Sequence, residues 1–214
     1  MKPQGVYVPA QPRPATDFPF LKEGLRADPS DDDLLASIAG GDRRAFAVLM
    51  RRHLSTMIML AQRIVFDPEQ AREIAQEAFL RVWRHASAWD PAGPATFSTW
   101  LRRVTVNLAI SQRRRRRDQV TIDAIAELPD PSDSAFDTVA MAHQKRMVQS
   151  ALERVPERQR AAIALFYFDD ISQAESAKVM GMSPKAFDSL LVRARRNIKK
   201  YLSEIGFLRT GDFS

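Results

Sequence analysis

Five consecutive arginines, Arg113–Arg117, are the most chemically distinctive residues of the chain. Arg102 and Arg103 precede them, and no aspartate or glutamate occurs between Phe97 and Arg117. Adjacent guanidinium groups repel one another, and nucleic-acid phosphates would relieve that repulsion. Phe97 and Trp100 could stack on unpaired bases, but their helical spacing favours packing in a core. The pattern predicts a phosphate-binding helix, with a solvated charge run as the alternative.

A second basic concentration lies in the segment 171–197, ISQAESAKVMGMSPKAFDSLLVRARRN. Ser172 and Glu175 form a capping box, Gly181 suits a left-handed turn, and Ser183 with Pro184 starts another helix. A positive helix after a tight turn is the geometry that enters a DNA major groove. The segment predicts a helix-turn-helix, with an ordinary helical hairpin as the alternative. The basic residues expected to face outward are Lys185, Arg193, Arg196, Lys199 and Lys200.

Several kinds of chemistry are disfavoured by the sequence. The chain has no cysteine, and its three histidines are scattered, so we expect no disulfide, catalytic thiol or metal site. Gly-rich phosphate loops and common hydrolase motifs do not occur, so we expect neither an enzyme nor a cofactor. Glu69, Glu73 and Glu77 share one helical face but lack the Glu-x-x-His partner of carboxylate metal sites. We interpret them as a solvated or partner-facing acidic edge.

Charge is segregated along the 214 residues, which carry a net charge of +6. Residues 31–117 have a net charge of +6, residues 118–140 a net charge of −6, and residues 141–203 a net charge of +6. Six of the thirteen prolines fall in residues 1–30. We therefore predict a disordered Pro-rich extension (1–30), two small basic domains (31–117 and 141–203), a flexible acidic linker (118–140) and a tail (204–214).

The sequence predicts that the candidate binding residues lie on helices. Asp67-Pro68 begins one helix, because Asp can cap it and Pro suits its first turn. Apolar residues recur with helical spacing from Ile74 to Val82 and from Phe97 to Leu108, and no sustained period-2 pattern occurs. The predicted fold class is all-α.

Three segments together resemble bacterial RNA polymerase sigma factors of the extracytoplasmic-function (ECF) class. They are DPEQAREIAQEAFLRVWRHASAW (67–89), TFSTWLRRVTVNLAISQRRRRR (96–117) and ALERVPERQRAAIALFYFDDISQAESAKVMGMSPKAFDSLLVRARRNI (151–198). The resemblance implies sigma region 2, which binds polymerase and the promoter −10 element, and sigma region 4, which binds the −35 element. It covers residues 31–117 and 141–203.

The resemblance also implies roles for individual residues. Expected at the β′ clamp coiled coil of polymerase are Glu73, Gln76, Glu77, Phe79 and Trp83, with a core role as the alternative for Phe79 and Trp83. Expected at the −10 element are Arg102, Arg103, Asn107, Arg113, Arg114, Arg115, Arg116 and Arg117. Expected at the −35 element are Ser183, Lys185, Ala186, Asp188, Ser189, Arg193 and Arg196. The loop from Trp89 to Thr96 falls near the position where the family captures a flipped base.

Some positions depart from the family pattern. Ser111 stands where an aspartate is common, and Arg72-Glu73 replaces an acidic pair. In the recognition helix, Ala186–Leu190 replaces the usual Thr-Val-Lys-Ser-Arg. Asp188 could accept a hydrogen bond from a cytosine amino group, or it could lie solvated at the edge of the groove.

The partners implied are core RNA polymerase (β′ clamp coiled coil and β flap), promoter DNA and an anti-sigma factor that can be membrane-anchored; no small-molecule substrate is expected. We expect a cytoplasmic protein, since no apolar run is long enough to span a membrane. Two alternatives remain: a stand-alone helix-turn-helix regulator, and a sigma-like decoy that binds an anti-sigma factor but no DNA.

Overall fold

The computed structural model describes residues 28–120, 147–169 and 171–204, and every regular element in these ranges is helical. The predicted all-α class is confirmed for this part of the chain. Nearly all of the predicted extension and tail, and the linker from residue 121 onward, lie outside the described residues. The predicted domain boundaries therefore stay predictions.

The N-terminal helices, α1–α4, comprise the first described range. They are α1 (Asp31–Ala39), α2 (Arg43–Val65), α3 (Pro68–His85) and α4 (Phe97–Val120), with a short 3₁₀ turn at Ala86–Ala88 between α3 and α4. Gly41 (φ 87°) follows α1, and its left-handed conformation lets the chain reverse direction.

Asp67 caps α3 as its position before Pro68 predicts. Its Oδ1 accepts from the backbone N–H groups of Glu69 (3.0 Å) and Gln70 (3.1 Å), and its Oδ2 accepts from Gln70 Nε2 (2.7 Å). Burial alone would raise the pKa of Asp67, but these hydrogen bonds and the charge of Arg116 bring it below its ordinary value. The cap is therefore ionised at neutral pH.

The C-terminal helices follow residue 147. Residues 147–153 are helical, and after them come α5 (Glu157–Phe168), α6 (Gln173–Val179) and α7 (Pro184–Glu204). Ser172 Oγ accepts from Glu175 N (3.2 Å), and Ser183 Oγ accepts from Ala186 N (3.3 Å), so both predicted caps form. Gly181 is left-handed (φ 64°) in the turn between α6 and α7.

Two hydrophobic clusters hold these helices together. The first lies within the N-terminal helices and includes Leu35, Leu49, Phe79 and Leu101. The second is shared by both sets of helices. Its buried members include Leu60, Ile64, Val106 and Ala109 from the N-terminal helices and Ala161, Leu165, Val179, Phe187 and Leu191 from the C-terminal helices. The C-terminal helices therefore pack directly on α2 and α4.

Arg160 on α5 is a buried polar residue that joins the two sets of helices. It is 2% exposed, and its Nη1 donates to Ile64 O near the end of α2 (2.7 Å). Its Nη2 donates to Glu153 O (2.8 Å) and Val155 O (2.9 Å). Burial lowers the pKa of Arg160 to about 10, so the guanidinium is charged at neutral pH.

Replacing Arg160 with Met should lower the free energy of unfolding by about 3 kcal/mol, because three buried carbonyls lose a charged donor. The free energy of unfolding of Arg160→Lys should lie between those of Arg160→Met and the parent, because Lys keeps the positive charge but lacks the several N–H donors of the planar guanidinium. Urea titration followed by circular dichroism measures both. Arg158→Met, an exposed change on the same helix, is the control. A loss under about 1 kcal/mol for Arg160→Met would contradict this role.

Candidate nucleic-acid interface

The basic residues near the end of α4 differ in their contacts within the protein. Arg114, Arg115 and Arg116 are exposed to solvent. Arg113 Nη2 lies 3.4 Å from Glu153 O, and Arg116 Nη1 pairs with Asp67 Oδ2 at 3.3 Å. The side chain of Arg117 lies outside the described part of the chain. Arg113 and Arg116 therefore contact other parts of the folded protein, while Arg114 and Arg115 between them are exposed to solvent.

Arg102 does not face solvent in this arrangement. Its Nε donates to Asp169 Oδ2 at 2.5 Å, and the two side chains are only 14% and 4% exposed. Asp169 follows the last residue of α5, so this ion pair joins α4 to the C-terminal helices. Burial raises the pKa of Asp169, and the hydrogen bond and charge of Arg102 lower it without cancelling that rise.

Two further contacts surround this pair on the same face of α4. Thr99 Oγ1 donates to Glu175 Oε1 on α6 at 3.0 Å, and Thr99 is 5% exposed. At Gly181, an added Cβ would lie 3.2 Å from Arg103 Nη2, so the turn before α7 approaches the Arg103 guanidinium closely. Residues 99, 102 and 103 are neighbours on one helical face. Of the predicted −10 residues, Arg102 thus lies against the C-terminal helices, while Arg103, although close to Gly181, is exposed, as is Asn107.

The aromatic residues near the start of α4 pack on one another. Phe97 is 3% exposed, and its ring stacks on Trp100 with centroids 6.1 Å apart. The interpretation of Phe97 as a core residue is therefore supported. Trp89 packs edge-on against both rings, and its Nε1 donates to Asp32 Oδ1 at 2.8 Å. A cavity of about 270 Å³ lies beside Trp89 and is lined by loop residues 91 and 93–96 and by Asp31 and Asp32 of α1.

The outward face of α3 combines carboxylates with apolar side chains. Glu73 and Gln76 are exposed, and Glu77 accepts from Arg81 Nε at 3.0 Å. Leu80 is 41% exposed and Trp83 is 36% exposed. We call the residues Glu73, Gln76, Glu77, Leu80 and Trp83 the α3 surface.

Phe79 has the core role that was the alternative to a place at the partner interface. It is 1% exposed and packs edge-on against Phe46, with ring centroids 6.2 Å apart. The helical period explains this, because Phe79 shares the inward face of α3 with Ala75 and Val82, which are also buried. Its contribution to any interface is to hold α3 in place. Leu80, which the sequence analysis did not select, is the exposed apolar residue next to it.

The first turns of α7 present the predicted −35 residues. Ser183, Lys185, Ala186, Asp188, Ser189, Arg193 and Arg196 are all exposed. The opposite face buries Phe187, Leu190, Leu191 and Ala194, as their spacing predicts. Asp188 Oδ1 accepts a short hydrogen bond from Gln173 Nε2 at the start of α6. Leu190 is an inward-facing core residue, so its departure from the family pattern does not alter the exposed surface.

Asp169 and Glu175 are the residues that sequence reasoning missed as partners of the basic helix, and it also missed the contact of Arg160 with the end of α2. Asp169 and Arg102 are separated by 67 positions, and Thr99 and Glu175 by 76. No local pattern connects residues so far apart. The available signal was Asp169-Asp170 directly after the aromatic end of α5, where acidic residues oppose the helix dipole.

The part of the chain that the structure describes was searched for metal-binding clusters and membrane-spanning helices. No group of three or more His, Asp or Glu side chains there could hold a metal ion. None of the described helices is long and apolar enough to cross a membrane.

Comparisons with known proteins match both sets of helices. The family model described as Sigma-70 region 2 matches residues 49–119, and that described as Sigma-70, region 4 matches residues 145–198. The chain is 34% identical to the ECF RNA polymerase sigma factor SigM of Mycobacterium tuberculosis, over 94% of this chain and 97% of SigM. It is 28% identical to the RNA polymerase sigma-H factor of Pseudomonas aeruginosa, over 82% of this chain and 95% of that protein.

Solved structures show a similar arrangement of helices. CnrH, solved in complex with the cytosolic domain of CnrY, aligns with a TM-score of 0.57 and 27% identity, covering 81% of this chain and 97% of CnrH. The sigma factor RpoE of Bartonella quintana, solved with the anti-sigma factor NepR, aligns with a TM-score of 0.58. That alignment covers 74% of this chain and 96% of RpoE at 19% identity, which supports the fold alone.

The exposure of Arg114 and Arg115 predicts a salt-dependent contribution to DNA binding. In the double variant Arg114→Gln/Arg115→Gln, the slope of log affinity for single-stranded DNA against log salt should fall by about 1.4, since each lost phosphate contact removes about 0.7. Fluorescence anisotropy with a labelled mixed-sequence oligonucleotide measures this slope. Arg43→Gln/Arg44→Gln, an exposed adjacent pair on α2, is the matched control. Equal slopes for the two double variants would refute a special role for the α4 pair.

Proposed function

The chain belongs to the ECF class of RNA polymerase sigma factors, and from that premise we propose that it binds core RNA polymerase and directs it to initiate transcription at specific promoters. One observation carries the proposal. An exposed arginine pair on α4 and a basic recognition helix, α7, occur in one chain, within the segments matched by the region 2 and region 4 models. Such a protein catalyses no reaction itself, and its contribution is selective binding.

Polymerase binding is assigned to the α3 surface and, for the C-terminal helices, to the β flap. Trp83 packs edge-on against Phe46 with centroids 5.3 Å apart, so its ring is held rigidly while one edge stays accessible. A fixed, partly exposed tryptophan next to Leu80 is the kind of anchor that concentrates binding energy at protein interfaces. Glu73 and Glu77 beside it supply the negative charge that a basic face of the β′ clamp coiled coil would complement.

Recognition of the −10 element is assigned to α4 and the loop before it. The positive surface of Arg103, Asn107, Arg114 and Arg115 would follow the phosphates of the non-template strand, with Arg102 available once Asp169 has moved. The cavity beside Trp89 would receive a base turned out of the stack, which costs least at an easily unstacked step. Melting would therefore depend on sequence.

Recognition of the −35 element is assigned to the first turns of α7. Lys185, Arg193 and Arg196 would hold phosphates, while Ala186, Asp188 and Ser189 would face base edges in the major groove. Asp188 accepts hydrogen bonds only, so it favours a base that offers an amino group, such as cytosine. The Gln173 contact supports this role because it fixes the direction of the carboxylate.

Regulation by an anti-sigma factor is part of the proposal. Among the similar proteins, RpoE was solved with the anti-sigma factor NepR, and CnrH was solved in complex with the cytosolic domain of CnrY. We assign to this chain a cytoplasmic location, recruitment by a membrane-anchored anti-sigma factor, and a stress or envelope response. The acidic linker, whose net charge is −6, would thread through a basic channel of polymerase.

Run-off transcription tests the function directly. Purified core polymerase on fragmented genomic DNA should produce discrete new transcripts only when the protein is added, and their upstream sequences should share spaced −35 and −10 elements. Stable binding to core without transcripts would favour the decoy. Absence of core binding would favour the stand-alone regulator.

Trp83→Ala should weaken binding to core polymerase at least about tenfold, because buried aromatic anchors account for a disproportionate part of interface energy. Surface plasmon resonance with immobilised core measures this change. Met59→Ala, another exposed apolar residue, is the control. If both variants bind like the parent while the parent still supports transcription, the α3 surface is not the docking site.

A further inference from the structure

The cavity beside Trp89 carries on its wall a carboxylate that comes from another helix. Its lining includes Asp31 and Asp32 of α1, together with Trp89 and the loop residues that lead into α4. Asp32 Oδ1 accepts a hydrogen bond from Trp89 Nε1 at 2.8 Å, although the two residues are 57 positions apart in the chain. The Asp32 carboxylate is therefore oriented by a ring that itself borders the cavity.

Asp31, the other acid on this wall, already has a partner for each of its oxygens. Its Oδ1 accepts from Arg52 Nη1 at 2.9 Å and its Oδ2 pairs with His53 Nε2 at 2.8 Å, so Asp31 ties the start of α1 to α2. Within the described part of the chain, Asp32 Oδ2 has no such partner. Asp32 is thus the acid on this wall with an oxygen left to accept a hydrogen bond from a group in the cavity.

The aromatic lining of the cavity suits a nucleobase but does not choose between bases. Phe97 is 3% exposed and packs edge-on against Trp89, with ring centroids 5.9 Å apart, and both rings border the cavity. Stacking on such rings tolerates every base, because every base has a π face. Selection therefore has to come from polar atoms on the wall. An ionised carboxylate is selective in this sense, because it accepts hydrogen bonds and donates none.

We propose that Asp32 is a specificity-determining residue of this cavity, which favours a base that carries an exocyclic amino group and rejects thymine. The inference rests on the proposed function, because that function assigns a turned-out base to the cavity. Cytosine and thymine are pyrimidines of similar size, but cytosine has an N4 amino group where thymine has the O4 carbonyl oxygen. The amino group donates to the Asp32 carboxylate, whereas the carbonyl oxygen repels it.

The cost of the wrong base follows from the chemistry of the carboxylate. Hydrogen bonds to charged groups contribute more than neutral ones, and an acceptor removed from water without a donor loses free energy. The parent should therefore bind cytosine at least about tenfold more tightly than thymine at the position of the −10 element that enters the cavity. In this division of roles, the loop before α4 receives the base and α1 selects it.

Base replacement in the −10 element tests the role of Asp32 in the holoenzyme. A promoter recovered by run-off transcription is made with its −10 region already unpaired, and each position of the non-template strand is replaced in turn by cytosine and by thymine. Competition binding of the full chain with core polymerase gives the cytosine-to-thymine affinity ratio at each position. Asp32→Asn, whose amide both donates and accepts, should reduce the ratio from at least about tenfold to below about threefold at one position and leave the other positions unchanged.

A second measurement needs no polymerase. By fluorescence anisotropy, the full parent chain should bind labelled oligo(dC) more tightly than labelled oligo(dT) of the same length, and Asp32→Asn should remove this difference. Both oligonucleotides carry the same phosphates, so the comparison cancels the charge contribution of the basic residues.

Matched variants separate base selection from charge and from folding. Glu69→Gln also removes one negative charge, but Glu69 is exposed at the start of α3 and does not line the cavity, so it should leave every ratio unchanged. Trp89→Phe keeps an aromatic ring but loses the Nε1 donor that orients Asp32, so it should lower the ratio at the same position as Asp32→Asn does. Circular dichroism establishes that each variant is folded.

The outcomes distinguish failure of this inference from failure of the proposed function. A folded Asp32→Asn that keeps the ratio of the parent at every position, or that weakens binding of both bases equally, would overturn the role of Asp32. A preference of the parent for thymine at the affected position would overturn it as well. If the parent produces no transcripts with core, the proposed function fails, and the comparison of oligo(dC) with oligo(dT) still decides whether Asp32 discriminates between bases.

Discussion

The buried guanidinium of Arg160 is the interaction on which the arrangement of the two sets of helices depends. It donates to carbonyls at the ends of two different helical segments, Ile64 O on α2 and Glu153 O and Val155 O before α5. Helix C-termini leave carbonyls without intrahelical partners, and burying them without a donor costs free energy. One planar cation satisfies all three, so the end of α2 and the start of α5 can be buried against each other.

That junction determines what α4 can do. Val106 and Ala109 of α4 are buried in the cluster that the C-terminal helices share, so α4 is a packing element as well as a basic surface. Its start faces Asp169 and Glu175, and its later turns carry Arg114 and Arg115 into solvent. One helix therefore has a part that is accessible to phosphate and a part that is not.

Sequence reasoning succeeded where the determining physics is local. The Asp67 cap, the Ser172 cap, the left-handed Gly181 and the buried stripe of α7 all follow from residues within one or two turns of each other. It did not find the Arg102–Asp169 and Thr99–Glu175 contacts or the role of Arg160, because each joins distant residues whose types fit a solvated surface equally well. Phe79 is a further example. The resemblance to a family segment located helix α3, but only the packing of the folded chain shows that the Phe79 side chain faces inward.

The Arg102–Asp169 pair helps to specify how α4 packs against the C-terminal helices but adds little to the stability of that packing. Burial raises the pKa of Asp169 even though Arg102 is hydrogen-bonded to it, so the desolvation of the carboxylate is not fully offset by its partner. Buried pairs of this kind contribute little net stability, yet removing one member leaves an uncompensated charge. A phosphate offers Arg102 the same charge-assisted hydrogen bond, while Asp169 regains water on release. Separating the two sets of helices would also expose the shared hydrophobic cluster and the carbonyls bound by Arg160, so buried apolar surface stabilises the arrangement that the ion pair helps to select.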